Sequence, residues 1–163
     1  MKPVLSRALI ALGALLILGA VNFAIVGKER IRRSGDIVYL RLEPVDPRSL
    51  MQGDYMALRF ALVRQIEGRE GNEQAAREGQ VAWAPVALDA QRIARLAEPG
   101  AATPLKLRYR IRAGHVWLGT NAFFFEEGSA DRFTGARYGE FRVDRDSGEA
   151  VLVGLRDEKL APM

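Results

Sequence analysis

The residues that most often carry enzyme chemistry are few in this chain of 163 residues. It has no cysteine and a single histidine, His115, which excludes thiolate nucleophiles, cysteine metal sites and metal clusters built from several histidines. A Ser-His-Asp triad would have to use His115. That residue follows the predicted turn Ala113-Gly114, so we expect a surface histidine. We predict no catalytic residue, no metal site and no cofactor.

Two groups of carboxylates could bind a cation or share a proton. Asp144, Asp146 and Glu149 resemble part of a calcium-binding loop, but a glycine stands where that loop needs an oxygen ligand. We therefore interpret this segment as a tight hairpin turn. Glu126 and Glu127 are neighbours in a predicted strand, where successive side chains point to opposite faces, so they are poorly placed to share a proton.

Four cations in alternate positions could bind an anion. Lys106, Arg108, Arg110 and Arg112 alternate with apolar residues, so a strand would carry all four on one face. Glu and Asp on neighbouring strands could neutralise them, as on an ordinary solvated sheet face. Alternatively, the row binds an anionic component of the cell envelope, and that binding should weaken with salt.

The positive charge is concentrated at the N-terminus. Residues 1–34 carry six cations and one anion, whereas residues 35–163 carry 18 cations and 19 anions. Binding of nucleic acid usually needs a basic patch on the folded domain. We therefore predict no nucleic-acid partner.

An uncharged segment of 20 residues, 8–27, contains one notably polar residue, Asn22. A helix of that length spans about 30 Å, the hydrocarbon thickness of a bilayer. The segment is longer than the apolar core of a cleavable signal peptide and lacks a good cleavage site. We predict that residues 1–34 are a single-pass membrane anchor, with residues 8–27 in contact with lipid.

The side of the membrane is open to two interpretations. Lys2 and Arg7 precede the span, and a larger cationic cluster follows it at Lys28, Arg30, Arg32 and Arg33. The positive-inside rule then favours a cytoplasmic domain. A short N-terminal tail before an apolar run is instead typical of a signal anchor, which exports the domain. The periplasm is our working expectation.

Residues 35–163 show the period of two that indicates half-buried strands. The segments that follow this pattern are 37–42, 55–62, 81–88, 93–96, 105–112, 115–126, 138–144 and 149–156. We predict a mainly β outer domain, a barrel or sandwich with one or two short helices. Residues 67–79 are predicted to be a long exposed loop. Residues 129–137 are predicted to be a short helix with Ser129 as N-cap and Phe133 facing inward.

The segment 44–60 reads as a strand–turn–strand joint. Asp46 can cap a short helical turn, Pro47 suits its first position, and Gly53 can end it. Asp54 then opens a strand. Its alternate residues, expected in the core, are Met56, Leu58 and Phe60.

The same segment resembles a protein family. GDYMALRF at residues 53–60 is similar to the motif of the GDYXXLXY family of bacterial membrane-anchored proteins, and residues 45–50, 124–128 and 136–140 resemble further family elements in family order. Phe60 stands where the family has Tyr, so we expect a packing role there and no role for a phenol oxygen. The resemblance implies an envelope location, with the anchor in the bacterial inner membrane, and a polytopic membrane partner. It supplies no reaction.

We expect a non-enzymatic envelope protein whose outer domain binds or supports that partner. The family positions expected to shape the interaction surface are Asp46, Pro47, Arg48, Gly53, Asp54, Tyr55, Leu58, Phe60, Phe125, Glu126, Gly128, Tyr138, Gly139 and Glu140. Within this set, Asp54, Arg48 and a carboxylate at Glu126 or Glu127 could form one buried polar cluster.

A membrane-anchored hydrolase of the signal-peptidase type is an alternative. Residues 47–54 imitate the Pro…Leu…Gly-Asp run of that nucleophile box, but Val45 stands where the serine should be. A Ser-Lys dyad also needs a buried lysine, and beyond the anchor the chain has only Lys106, on a charged strand face, and Lys159, in the tail. Ser49, Ser129 and Ser147 are the serines that a serine-directed probe would report.

Overall fold

The computed structural model describes residues 3–43, 51–52, 55–70, 79–98, 100–101 and 105–163. Helix α1 (Pro3–Ser34) contains the predicted span and is exposed along almost all of its described length. Within the described ranges it is the one helix long and apolar enough to cross a membrane. The uncharged segment 8–27 therefore lies within one continuous helix, as the predicted anchor requires.

The rest of the described chain is β-rich. In chain order its elements are β1 (Asp36–Arg41), β2 (Met51–Gln52), β3 (Tyr55–Ala57), α2 (Ala61–Glu70), β4 (Val81–Leu88), β5 (Ala94–Leu96), β6 (Leu105–Arg112), β7 (His115–Trp117), β8 (Ala122–Phe124), a 3-10 helix (Ala130–Phe133), β9 (Tyr138–Val143) and β10 (Ala150–Arg156). The strands form three antiparallel sheets with the orders β1-β9-β10, β2-β3-β8 and β5-β4-β6-β7. The predicted mainly β class is confirmed.

One hydrophobic core joins the three sheets and α2. Its most deeply buried side chains come from alternate positions of five strands, as the period-two pattern predicts. They are Val38, Leu40, Val86, Leu107, Phe141, Val143 and Leu155. Strand β9, at the centre of its sheet, is covered on both faces, and five of its six residues are buried.

Two predicted strands are wrong in extent. The strand expected at 55–62 ends at Ala57, and helix α2 begins at Ala61. Leu62 and Ile66, which α2 buries, are four residues apart, so they share a helical face as readily as Leu62 continues an alternating strand. Residues 67–70 of the predicted loop belong to α2, and its residues 71–78 lie outside the described residues.

The strand expected at 115–126 is divided between two sheets. It ends at Trp117, and β8 starts at Ala122 beside β3. Gly119 between them has φ of +85°, a conformation that glycine adopts readily and that interrupts an extended strand. The chain therefore turns from one sheet to another within four residues.

The predicted helix at 129–137 is a short 3-10 helix in the structure. Phe133 is buried, as predicted. The predicted N-cap is wrong: Ser129 precedes the helix without capping it, and its hydroxyl donates to the carbonyl oxygen of Glu126 at 2.5 Å. A 3-10 turn of four residues offers fewer free N–H groups to a cap than an α-helix does.

Helix α1 passes into the β-rich part of the chain through one residue, Gly35. Its N–H donates to the carbonyl oxygen of Ile31 at 2.8 Å, and its own carbonyl accepts from Arg142 at 3.3 Å. A Cβ atom at position 35 would lie 2.6 Å from the Ile31 oxygen, so only glycine fits. Nearby, Lys28 of α1 forms an ion pair with Glu149. The last turns of α1 are thus fixed against β9 and β10 without a linker.

Candidate functional site

Five of the family positions lie outside the described residues: Asp46, Pro47, Arg48, Gly53 and Asp54. The helical turn expected in the joint, and the polar cluster expected around Asp54 and Arg48, fall on the same part of the chain. The remaining family positions form two groups, one at a surface and one in the core.

The surface group is built where β3 pairs with β8. Tyr55 stands opposite Phe124, and their ring centroids are 5.8 Å apart with a tilt of 42°. The buried Leu58 continues this pairing, since its N–H donates to the carbonyl oxygen of Asn121 at 2.6 Å. Phe124 is 75% exposed. We name Tyr55 and Phe124 the aromatic ridge.

The neighbours of Phe124 in sequence face the other way. Phe123 and Phe125 both contact the buried Phe133, with centroid distances of 5.2 Å and 5.3 Å. Phe133 therefore covers one face of β8, as the sequence pattern allowed, and the other face stays exposed. Glu126 and Glu127 are exposed in the turn that follows. Gly128 completes that turn with φ of +77°, which glycine adopts without strain.

The core group joins the end of the motif to β9. Phe60 is 3% exposed and packs edge-on against Phe141, with centroids 5.3 Å apart. A Cβ atom at Gly139 would lie 3.0 Å from the Phe60 ring and 3.1 Å from the Phe141 ring. The absence of a side chain at position 139 therefore makes room for the ring at position 60. Phe60 has the packing role expected of it.

The other face of β9 carries a buried charge. Glu140 is 5% exposed, and Nε of Arg156 on β10 donates to its Oε2 at 2.5 Å. The adjacent Tyr138 is buried, with the guanidinium of Arg41 6.0 Å from its ring centroid. Two nitrogen atoms of the Arg156 guanidinium thus contact one carboxylate oxygen of Glu140 and hold β9 against β10.

Two of the three serines that a serine-directed probe would report make contacts within turns. Ser147 donates to Oδ1 of Asp144 at 2.7 Å, and Ser129 donates to the carbonyl oxygen of Glu126. The hydrogen bond from the Ser147 hydroxyl, with others from backbone N–H groups, holds the pKa of Asp144 below its usual value, which makes that carboxylate a weak base. In the described ranges, neither hydroxyl has a lysine or histidine as its hydrogen-bond partner. Ser49 lies outside them.

Two of the three candidate metal ligands in the turn 144–149 make other contacts. Glu149 pairs with Lys28, and Asp144 closes the hairpin turn predicted at 145–148, where Gly148 has φ of +72°. His115 is exposed, with Nδ1 3.6 Å from a carboxylate oxygen of Glu67. Within the described part of the chain, no three His, Asp or Glu side chains are grouped as metal ligands would be.

The row of cations on β6 has aromatic and apolar neighbours in place of acidic ones. Arg108 stands opposite Trp83, and Arg110 stands between Val81 and Trp117. Neither β4 nor β7 contributes an acidic residue, so the expected neutralisation by neighbouring strands is wrong. Pairing is decided by strand register, which the sequence pattern does not reveal.

Three of these cations line a cleft of about 200 Å³ beside the end of the anchor. Its main lining residues are Lys28, Arg108, Arg110, Arg112, Trp117 and Glu149. We name it the juxtamembrane cleft. The sequence pattern placed the β6 arginines in one row, but it did not predict that Lys28 and Glu149 would lie beside that row. These two residues are separated from β6 by long stretches of chain.

The chain was compared with known proteins. The GDYXXLXY protein family matches residues 17–155, most of the chain and both groups of family positions described above. No curated protein and no solved structure matches the chain.

Proposed function

Because the chain belongs to the GDYXXLXY family, we propose that it is a non-enzymatic, single-pass envelope protein whose β-rich domain binds a polytopic membrane partner. The observation that carries this proposal is the exposure of Phe124, 75%, in the aromatic ridge. Among the described residues of the outer domain, no other large apolar side chain is as exposed. Aromatic residues, phenylalanine and tyrosine among them, are enriched at protein–protein interfaces.

The aromatic ridge is held ready for binding. Tyr55 and Phe124 lie opposite each other in paired strands, and Phe123 and Phe125 on either side of Phe124 are packed inward against Phe133. The backbone at Phe124 is therefore fixed, so binding need not order a flexible loop. Such preorganisation favours affinity.

The junction at Gly35 supports a partner in the same membrane. Since α1 enters β1 without a linker, the outer domain stays next to the bilayer surface. An integral membrane protein at this position would meet both the helix and the domain. We propose the periplasmic side of the inner membrane for this encounter.

Site-specific photocrosslinking tests the proposal in the native host. A photoreactive phenylalanine at Phe124 is expected to form an adduct with a polytopic membrane protein, identified by mass spectrometry. The same probe at Val153, an exposed position on β10, serves as the matched control. Absence of an adduct from Phe124, or equal adducts from both positions, would refute the proposed surface.

Maleimide labelling tests the side of the membrane. The chain has no cysteine, so Lys159→Cys introduces a single thiol at an exposed site. Labelling of intact cells by a membrane-impermeant maleimide is expected for a periplasmic domain. Labelling only after lysis would move the domain, and the search for its partner, to the cytoplasm.

A further inference from the structure

The juxtamembrane cleft has an excess of positive charge without a matching acid. Four cationic side chains line it: Lys28, Arg108, Arg110 and Arg112. Glu149 is the one carboxylate among the lining residues, and it pairs with Lys28. No described acidic residue forms an ion pair with any of the three arginines, which alternate along β6 and therefore project from the same face. The cleft is thus complementary to an anion.

The geometry of the cleft suits a group with several oxygen atoms. Arginine side chains present planar forks of N–H donors that bind phosphate or carboxylate through two parallel hydrogen bonds. Arg112 lies over the ring of Trp117, 4.9 Å from its centroid, and this contact limits the orientations of its guanidinium. A single phosphate could bridge neighbouring guanidiniums, whereas one carboxylate has only two oxygens to share among them.

The position of the cleft relative to the expected membrane span indicates which phosphate-bearing group is abundant around it. Lys28 is the first charged residue after the uncharged segment 8–27, so it lies at the depth of the lipid headgroups when that segment spans the hydrocarbon core. Trp117 shares the cleft with Lys28, and tryptophan is enriched at membrane interfaces. Phosphodiesters are the anions concentrated at that depth.

We propose that the juxtamembrane cleft is a binding site for a phosphate group, with Arg108, Arg110, Arg112 and Lys28 as its donors and an anionic phospholipid headgroup as its source. The site is separate from the aromatic ridge and does not depend on the proposed partner. Glu149 holds Lys28 through their ion pair. When phosphate binds, Lys28 exchanges the carboxylate for a phosphate oxygen.

The fluorescence of Trp117 provides the assay. The chain has two tryptophans, so Trp83→Phe leaves Trp117 as the single reporter inside the cleft. The full chain is placed in phosphatidylcholine nanodiscs with increasing fractions of phosphatidylglycerol, and separately in pure phosphatidylcholine nanodiscs with added inorganic phosphate. A saturable change with phosphatidylglycerol alone assigns a lipid headgroup, and a response to inorganic phosphate as well assigns a soluble phosphate compound. A signal that changes with neither probe overturns the proposal.

Charge-removing variants separate the cleft from general basicity. The double variant Arg110→Gln/Arg112→Gln is expected to weaken binding about tenfold or more, since it removes two charge-assisted contacts. Lys106→Gln is the matched control, because Lys106 lies on the same strand but outside the cleft lining. An equal loss in both variants would show diffuse attraction and overturn the proposal. Native mass spectrometry repeats this comparison in chains that keep both tryptophans, by measuring how much phosphatidylglycerol each variant retains.

The role given to Glu149 predicts a gain of binding. Glu149→Gln removes the carboxylate that competes with phosphate for Lys28, so half-saturation should occur at about threefold less phosphatidylglycerol. Glu158→Gln, at an exposed carboxylate remote from the cleft lining, is the control and should change binding less. A Glu149→Gln variant that binds no more tightly than the control overturns the four-cation site.

Discussion

Substitution of Arg156 should leave the buried carboxylate of Glu140 without its cationic partner. In Arg156→Met, Glu140 would keep its position in the central strand β9, where it is 5% exposed, but would lose the cation that donates to it at 2.5 Å. Methionine fills much of the same volume, so the change removes charge more than packing. A carboxylate left buried without a partner is strongly destabilising.

The size of the effect follows from the burial of the two partners. Removing one member of a buried ion pair typically costs about 3–5 kcal/mol of unfolding free energy. The Arg156 side chain is 22% exposed, so water can approach the carboxylate after the substitution. We therefore expect a loss near the lower limit, about 3 kcal/mol. In a chain of this size that loss lowers the melting temperature by about 6–12 °C.

Thermal unfolding of the full chain in detergent, followed by near-UV circular dichroism, measures this effect. Arg137→Met is the matched control, because Arg137 pairs with Glu158 at 3.9 Å and both side chains are more than half exposed; we expect a shift of about 2 °C or less. The double variant Glu140→Gln/Arg156→Met should be more stable than Arg156→Met alone, since no buried charge remains. Equal shifts for Arg156→Met and the control, or a double variant no more stable than Arg156→Met alone, would refute the reasoning.

Three further predictions concern the packing and the turn. Gly139→Ala should destabilise the chain by about 1–3 kcal/mol, because the new methyl group would meet the Phe60 ring at 3.0 Å. Denaturant unfolding would measure this loss, and unchanged stability would show that the ring moves freely. Phe133→Ala should cost about 3–5 kcal/mol in the same assay, since it removes the ring that covers β8; a loss below about 1 kcal/mol would contradict that role. The lowered pKa of Asp144 gives a stabilisation that is present above its ordinary value of 3.8 and disappears as pH falls through the lowered value. Ser147→Ala removes the largest cause, so the Asp144 pKa should rise in an NMR titration, and an unchanged pKa would assign the shift to the backbone donors.

Much of the sheet could be predicted because its strands bury one face. The alternation at 81–88 and 105–112 gave the bounds of β4 and β6, and the uncharged run 8–27 lies within α1. Helix α2 was missed because buried residues at 58, 60, 62 and 66 fit an alternating strand for three positions before the helical spacing shows. The division between β7 and β8 depends on one backbone conformation at Gly119, which no periodicity records.

The candidate sites were less predictable because they form between distant segments. Glu140 was identified as a family position, but its partner Arg156 depends on the register of β9 with β10. The cleft joins Lys28 to Glu149, 121 residues further along the chain. Hydrophobic periodicity indicates which face a residue occupies, whereas the identity of its neighbour across the sheet is decided by the complete fold.

Because α1 passes directly into β1, the rotation of α1 about its own axis determines the orientation of the β-rich domain. An α-helix turns about 100° for each residue, and Gly35 leaves no slack to absorb such a turn. Adding or deleting one residue in α1 would therefore rotate the aromatic ridge by about 100° around the helix axis, relative to the faces of α1. For an isolated helix in lipid this rotation has no consequence. For a partner that binds both helix and domain, the number of residues in α1 determines whether the two binding surfaces face that partner at the same time.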